Sequence, residues 1–358
     1  MPPVAIEKTI SDILTAAAKR KASYVHLTVG VYPVLRIDDA LVELKEEPAV
    51  SAEFMEAFAG KLLTDEQRRE LAAEKEITCL RDLNGKFRFK VTIFHQKGSL
   101  AATLKLIPAR IPPLGSLGLP PVVSELTKKM NGLVVIAGPY GSGRTTTVAA
   151  LLEEINKSRS ETIVTIEQPI EYIFSNQKSL VEQREIGRDA NSFAEALQHL
   201  QEADVDVLMI DVNREPGVVP AVVQFAGAGR LAFLQMDTTT AVQTIEELLA
   251  AFSRDERDRA QLLLSKTLSA IVCQRLVPRI GGGVVVAAEV LIANDAIRTL
   301  IASGRTRQLM TILQSSREEG MSTIDQSLGS LVKSNVVLID RAIEYATDPI
   351  ALRAAVKR

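Results

Sequence analysis

The chain has 358 residues, 46% of them hydrophobic and 24% charged, with a formal net charge of −2. That balance excludes wholesale disorder and argues against broad nucleic-acid binding, and the length predicts two to three domains. Two widely separated cysteines, Cys79 and Cys273, argue against a disulfide scaffold or a structural zinc site.

Ile6, Ile10, Ile13, Leu14 and Ala17 recur at helical spacing, so the chain is expected to open on an amphipathic helix. Tyr24 to Thr28 and Val34 to Ile37 read as strands. Ser51 is placed to cap a helix carrying Phe54, Met55 and Phe58. The strict alternation of Phe87 to Ile93 predicts a half-buried strand, paired with Ser99 to Ile107 across a turn at Lys97-Gly98. Residues 1–106 therefore read as a small α+β domain. Residues 107–121 are rich in proline, which removes amide donors and resists helix, and are expected to form a linker. From 122 to 358, apolar runs (Leu133 to Ala137, Thr162 to Ile166, Val205 to Ile210, Leu231 to Met236) alternate with helical patterns. That order predicts an α/β domain on a mostly parallel sheet. The last eighty residues read mainly as helices, and Cys273 is expected in a buried apolar helix. No run of about 18 apolar residues predicts a spanning helix, and the start has no signal layout. The chain reads as cytoplasmic.

The strongest local signal is Gly138-Pro139-Tyr140-Gly141-Ser142-Gly143-Arg144-Thr145, between an apolar strand and a helical stretch opening at Thr146. This is the layout of a Walker A loop, GxxxxGK[ST], which curls backbone amides and a helix N-terminus around phosphate. Gly138, Gly141, Ser142, Gly143, Arg144, Thr145 and Thr146 are thus candidate ATP- or ADP-binding residues, with the Thr145 hydroxyl a candidate Mg²⁺ ligand. The motif's lysine is Arg144, a planar fork in place of a compact charge. The alternative is a glycine-rich turn with no ligand. Asp211, ending an apolar strand, either supports Mg²⁺ through water or is a solvated strand-end residue.

Ordered matches along nearly the whole chain resemble the type IV pilus retraction ATPases (the PilT type) of the secretion ATPase superfamily. They run through Leu27-Thr28-Val29-Gly30, Arg36-Ile37-Asp38, Thr165 to Glu171, Gln183 to Asp189 and Ser192 to Leu197. They continue through Gln274-Arg275-Leu276, Glu289 to Ala293, Ala296 to Ile301 and Gly320 to Gln326. The resemblance implies a PAS-like N-terminal domain and a RecA-like motor domain carrying C-terminal helices. It also implies a hexameric ring, ATP between subunits, and action on the inner-membrane platform of a pilus. Arg88 matches a position from which the family supplies a cation to a neighbour's nucleotide; it reads equally well as a strand-surface charge. Lys105 stands where the family tends to have arginine.

Four departures fall on the chemistry. Arg144 replaces the Walker A lysine, Gln168 replaces the second carboxylate after Glu167, Val212 replaces the catalytic glutamate, and Asp237 replaces the histidine before Thr238. Val212 cannot accept a proton, and a missing water-activating group costs about 10²–10⁴ in rate. The leading expectation is a ring-forming member with impaired hydrolysis, acting alone or mixed with an active paralogue. One alternative is an active motor in which Glu167 orients water. The other is a scaffold whose nucleotide seat is filled by Arg144 itself.

Overall fold

The computed structural model describes residues 3–20, 22–37, 40–83, 87–108, 110–211 and 215–356. Asp38 and Val212 lie outside the described residues. The chain divides into two compact units, Met1–Arg110 and Ile111–Arg358.

In the first unit, α1 (Pro3–Lys19) buries Ile10, Ile13, Leu14 and Ala17 on one face, as its spacing requires. It is followed by β1 (Tyr24–Leu27), β2 (Val34–Ile37), β3 (Ala40–Glu43), α2 (Ala52–Leu62), α3 (Asp65–Glu74), β4 (Glu76–Leu83), β5 (Phe87–Gln96) and β6 (Ser99–Ile107). The Ser51 hydroxyl caps α2 by accepting from the Phe54 amide at 3.1 Å. The strands form a sheet in the order β3-β2-β1-β6-β5-β4. Phe89, Val91 and Ile93 alternate inward on β5, each fully buried. The β5–β6 turn falls at Lys97-Gly98, both with positive φ.

The second unit carries α4 (Val122–Glu125), β7 (Gly132–Ala137), α5 (Arg144–Ser158), β8 (Thr162–Glu167), β9 (Leu180–Glu185), α6 (Phe193–Leu200), β10 (Val207–Ile210), α7 (Val218–Gly227) and β11 (Leu231–Met236). It continues with α8 (Ala241–Ala250), α9 (Arg257–Thr267), β12 (Leu268–Pro278), β13 (Val284–Ile292), α10 (Asp295–Ala302), α11 (Leu309–Ser315), α12 (Ile324–Lys333), α13 (Ile339–Glu344) and α14 (Pro349–Val356). The sheet order is β13-β12-β7-β11-β10-β8-β9, parallel except for the β12–β13 pair. Successive β7 residues feed opposite cores. Leu133 and Val135 pack on the α6–α9 side, Val134 and Ile136 on the α5 side. A strand covered on both faces must be apolar at every position, which is why β7 reads as a continuous run. Each such side chain, fully buried, is worth ~1.5–3 kcal/mol.

One expectation is corrected: Cys273 is buried in β12, not in a helix. The last eighty residues are mainly helices as expected, with β13 at their start. Leu268 to Cys273 is a short, mostly apolar run whose periodicity suits either element, and its strand form is decided by pairing with β7 and β13. Part of the proline-rich stretch packs into the second unit. Leu114 is buried, and Ile111, Leu117 and Leu119 pack against the α5-side core.

Candidate functional site

The glycine-rich segment leaves β7 and turns over the N-terminus of α5. Gly138 has φ of 148°. A Cβ there would stand 2.4 Å from the Gln274 carbonyl oxygen and 2.6 Å from Ser142 Oγ, so only glycine lets the loop pass this close to β12. Gln274 is 1% exposed, and its Nε2 donates to the Ser142 carbonyl at 2.7 Å. Gly143, with φ of 89°, is the residue before α5. Gly141, at the crown, has nothing within 4 Å of a built Cβ, and Tyr140 beside it is 77% exposed. The backbone thus forms an open-topped cradle whose amides and helix start suit an anion.

The side chains over this cradle are less usual. Arg144 Nη1 donates to the Met236 carbonyl at 2.9 Å and also to the Gly138 carbonyl. The guanidinium therefore ties the first glycine of the loop to the end of β11. Burial pulls its pKa below the ordinary arginine value, and the charges of Asp211 and Asp237 act in the opposite direction. Asp211 follows β10 and is half-buried, its amide donating to the Ile166 carbonyl at 3.0 Å. Two carboxylates thus oppose the effect of burial on this cation.

Glu167 ends β8 at 3% exposure. Its Oε1 accepts from Thr165 Oγ1 at 2.7 Å and from Gln183 Nε2 at 3.1 Å. Burial pushes its carboxyl up to about 7; the two hydrogen bonds pull it down, and Asp211 and Glu171 push it further up. Gln183 Nε2 also donates to the Tyr172 carbonyl at 2.8 Å. The Tyr172 hydroxyl meets Thr146 Oγ1 at 3.0 Å. Tyr172 therefore contacts the first turn of α5 through its hydroxyl and the Gln183–Glu167 pair through its carbonyl.

The sequence-nominated residues thus divide. Gly138 to Thr146, Glu167, Asp211 and Asp237 are gathered at the carboxyl ends of β7, β8, β10 and β11, the edge where open α/β sheets bind ligands. Thr145 is half-buried in the first turn of α5. Arg88 is half-buried on β5 of the other unit, opposite Asp82 and Ile107 in the ladder. Sequence reasoning did not single out Gln274, Gln183 or Tyr172 as site residues, although each lies in or beside a quoted motif. It also missed the work of Glu289, 1% exposed on β13. That carboxylate accepts from the Ala241 amide at 2.7 Å and the Ile324 amide at 3.4 Å, and so caps both α8 and α12.

Residues 120–289 match the family model described as Type II/IV secretion system protein. The chain is 32% identical over 340 residues to the type IV pilus retraction ATPase PilT of Pseudomonas aeruginosa, covering 95% of this chain and 98% of the relative. It is 31% identical over 346 residues to the type IV pilus ATPase PilU of the same organism, covering 96% and 90%. A crystal structure of the pilus retraction motor PilT with bound ADP superposes with a TM-score of 0.84 at 36% identity, covering 96% of this chain and 98% of that one.

Proposed function

The chain belongs to the type IV pilus retraction ATPase family, with the RecA-like fold of that family, and we propose that it is a hydrolysis-impaired member that binds nucleotide weakly. The observation that carries this reading is the Arg144 guanidinium, turned onto the carbonyls of Gly138 and Met236.

The cradle fits a nucleotide's phosphates, since its floor admits no Cβ at Gly138 and its crown is open. Gly141, Ser142, Gly143 and Thr145 would hold the phosphates through their amides, with Thr145 and Asp211 flanking Mg²⁺. The metal–nucleotide complex would supply the reactive phosphoanhydride and the charge that neutralises it. What the chain's own residues offer is less complete. Val212 carries no proton acceptor. Arg144 commits its Nη1 to two backbone carbonyls. Glu167 is engaged by Thr165 and Gln183. We further propose, from family membership, a hexameric ring with nucleotide between subunits, homomeric or mixed with an active paralogue. It would be peripheral at the inner membrane and act on the pilus platform, with Arg88 offered to a neighbour's site.

One observation favours a second reading, an active motor with rearranged chemistry. A carboxyl poised near 7 is suited to general-base work at neutral pH. Phosphate release from Mg·ATP by the purified chain, beside the Arg144→Lys, Val212→Glu variant, separates the two. A silent parent with an active repaired variant supports impaired hydrolysis. Turnover by the parent overturns it, and Glu167→Gln should then abolish that turnover.

A further inference from the structure

We propose that Gln235 is a positioning residue for a hydrated divalent cation, holding the water shell of a nucleotide's Mg²⁺ together with Asp211 and Glu167. This rests on reading the loop as a nucleotide site and adds to that site an uncharged acceptor.

Gln235 lies on β11 at 2% exposure, and its Oε1 is buried with no hydrogen-bond partner among the described residues. Its Nε2 makes a weak contact with Met209 Sδ at 3.9 Å. A core amide whose carbonyl goes unmet is costly, so a donor belongs there. The strand register shows what else borders the spot. Met209 pairs with Phe233 on β11 and with Thr165 on β8. Met209 and Phe233 both pack into the α5-side core, and Gln235, two residues after Phe233, shares its face. On the other flank Glu167, two residues after Thr165, accepts from Thr165 Oγ1 at 2.7 Å. Asp211 stands two residues beyond Met209, and its amide stays in register with β8 through the Ile166 carbonyl at 3.0 Å. One amide carbonyl and two carboxyl groups therefore end three adjacent strands, beyond the buried thioether of Met209. Three acceptors beside an apolar floor call for a ligand rich in donors. Hydrated Mg²⁺ is one, because it keeps several of its waters. The outer two strands of the three lie about 10 Å apart, a spacing that suits contact through those waters rather than direct ligation.

The test follows mant-ADP binding by the full-length chain as Mg²⁺ is titrated, with EDTA giving the metal-free affinity. Gln235→Leu deletes the carbonyl and should raise the half-saturating Mg²⁺ concentration at least about fivefold, while the metal-free affinity stays within about twofold of the parent. Thermal melts should place Gln235→Leu at or above the parent, because its carbonyl has no partner to lose. A merely structural role would instead lower the melting temperature and shift both affinities together. An unmoved Mg²⁺ midpoint, or equal shifts with and without the metal, overturns the proposal and leaves the nucleotide reading standing. Absence of mant-ADP binding by the parent under every condition overturns both. Gln235→Met, of similar length, stands in if Gln235→Leu fails to fold. Impaired hydrolysis is judged separately, by phosphate release from the Arg144→Lys, Val212→Glu chain.

Discussion

The floor of the phosphate cradle and its rim obey different rules. The floor is over-determined by packing: Gly138 presses on β12, and Gln274 reaches up from β12 to hold the Ser142 carbonyl. The rim is a set of side chains at strand ends, Arg144, Asp211, Asp237 and Glu167, whose identities the sheet does not dictate. Changing a floor residue collides with packed backbone, whereas changing a rim residue alters charge and its desolvation. Under the proposed loss of hydrolysis, the floor is therefore kept while the rim changes.

The largest expected effect tests the floor. Gly138→Ala should destabilise the chain by about 4 kcal/mol, the sum of a steric collision with the Gln274 backbone and an unfavourable positive φ. Urea melts measure it. A loss under about 1 kcal/mol would show the floor to be pliable and remove the contrast.

The rim predicts an effect of opposite sign. Between pH 4.5 and about 7, folded Glu167 keeps a proton that the unfolded chain has released. Stability is therefore full at the acid end and falls as pH rises through that window, by up to about 3 kcal/mol. Glu167→Gln keeps an acceptor for Thr165 and Gln183 but cannot ionise. It should match the parent near pH 4.5 and be the more stable protein at pH 8. Parallel melts across pH decide this, and parallel curves for the two proteins would refute a buried, proton-holding Glu167.

Legibility followed the same division. The loop, its flanking strand and helix, and the capping role of Ser51 were readable because local spacing and residue type dictate them. The seat of Arg144 was not readable. The acceptor for Arg144 is a backbone carbonyl 92 residues away, and a carbonyl carries no side-chain signature. Gln274 lies 132 residues from the bond it makes. In both cases the juxtaposition comes from neighbouring strands in a parallel sheet, an arrangement that local pattern does not encode. The β12 strand reads as helix in the sequence because burial on both faces erases the alternation that would mark it. The polar α3 helix escaped for the opposite reason, since it buries only Leu71.

A smaller effect sharpens the account of the floor. Gln274→Leu removes the donor to the Ser142 carbonyl and leaves that group without its buried partner, a cost of about 1–2 kcal/mol. The loss is moderated because Gln274 Oε1 is itself buried with no hydrogen-bond partner among the described residues, and leucine removes that liability. Denaturant midpoints at constant slope give the value, and a neutral result would assign the floor to Gly138 alone.

The smallest effect separates the two reasons a glycine can be required. Gly141 shares the positive φ of its loop neighbours, at 79°, but a Cβ built there has nothing within 4 Å. Gly141→Ala therefore meets only conformational strain, about 1 kcal/mol. Gly138→Ala meets the strain and a collision with immovable backbone. The ratio of the two losses, measured under one set of conditions, isolates the packing contribution of β12 from the intrinsic preference of the loop. Near-equal losses would mean that φ alone governs both glycines, and that β12 does not press on the loop as the distances require.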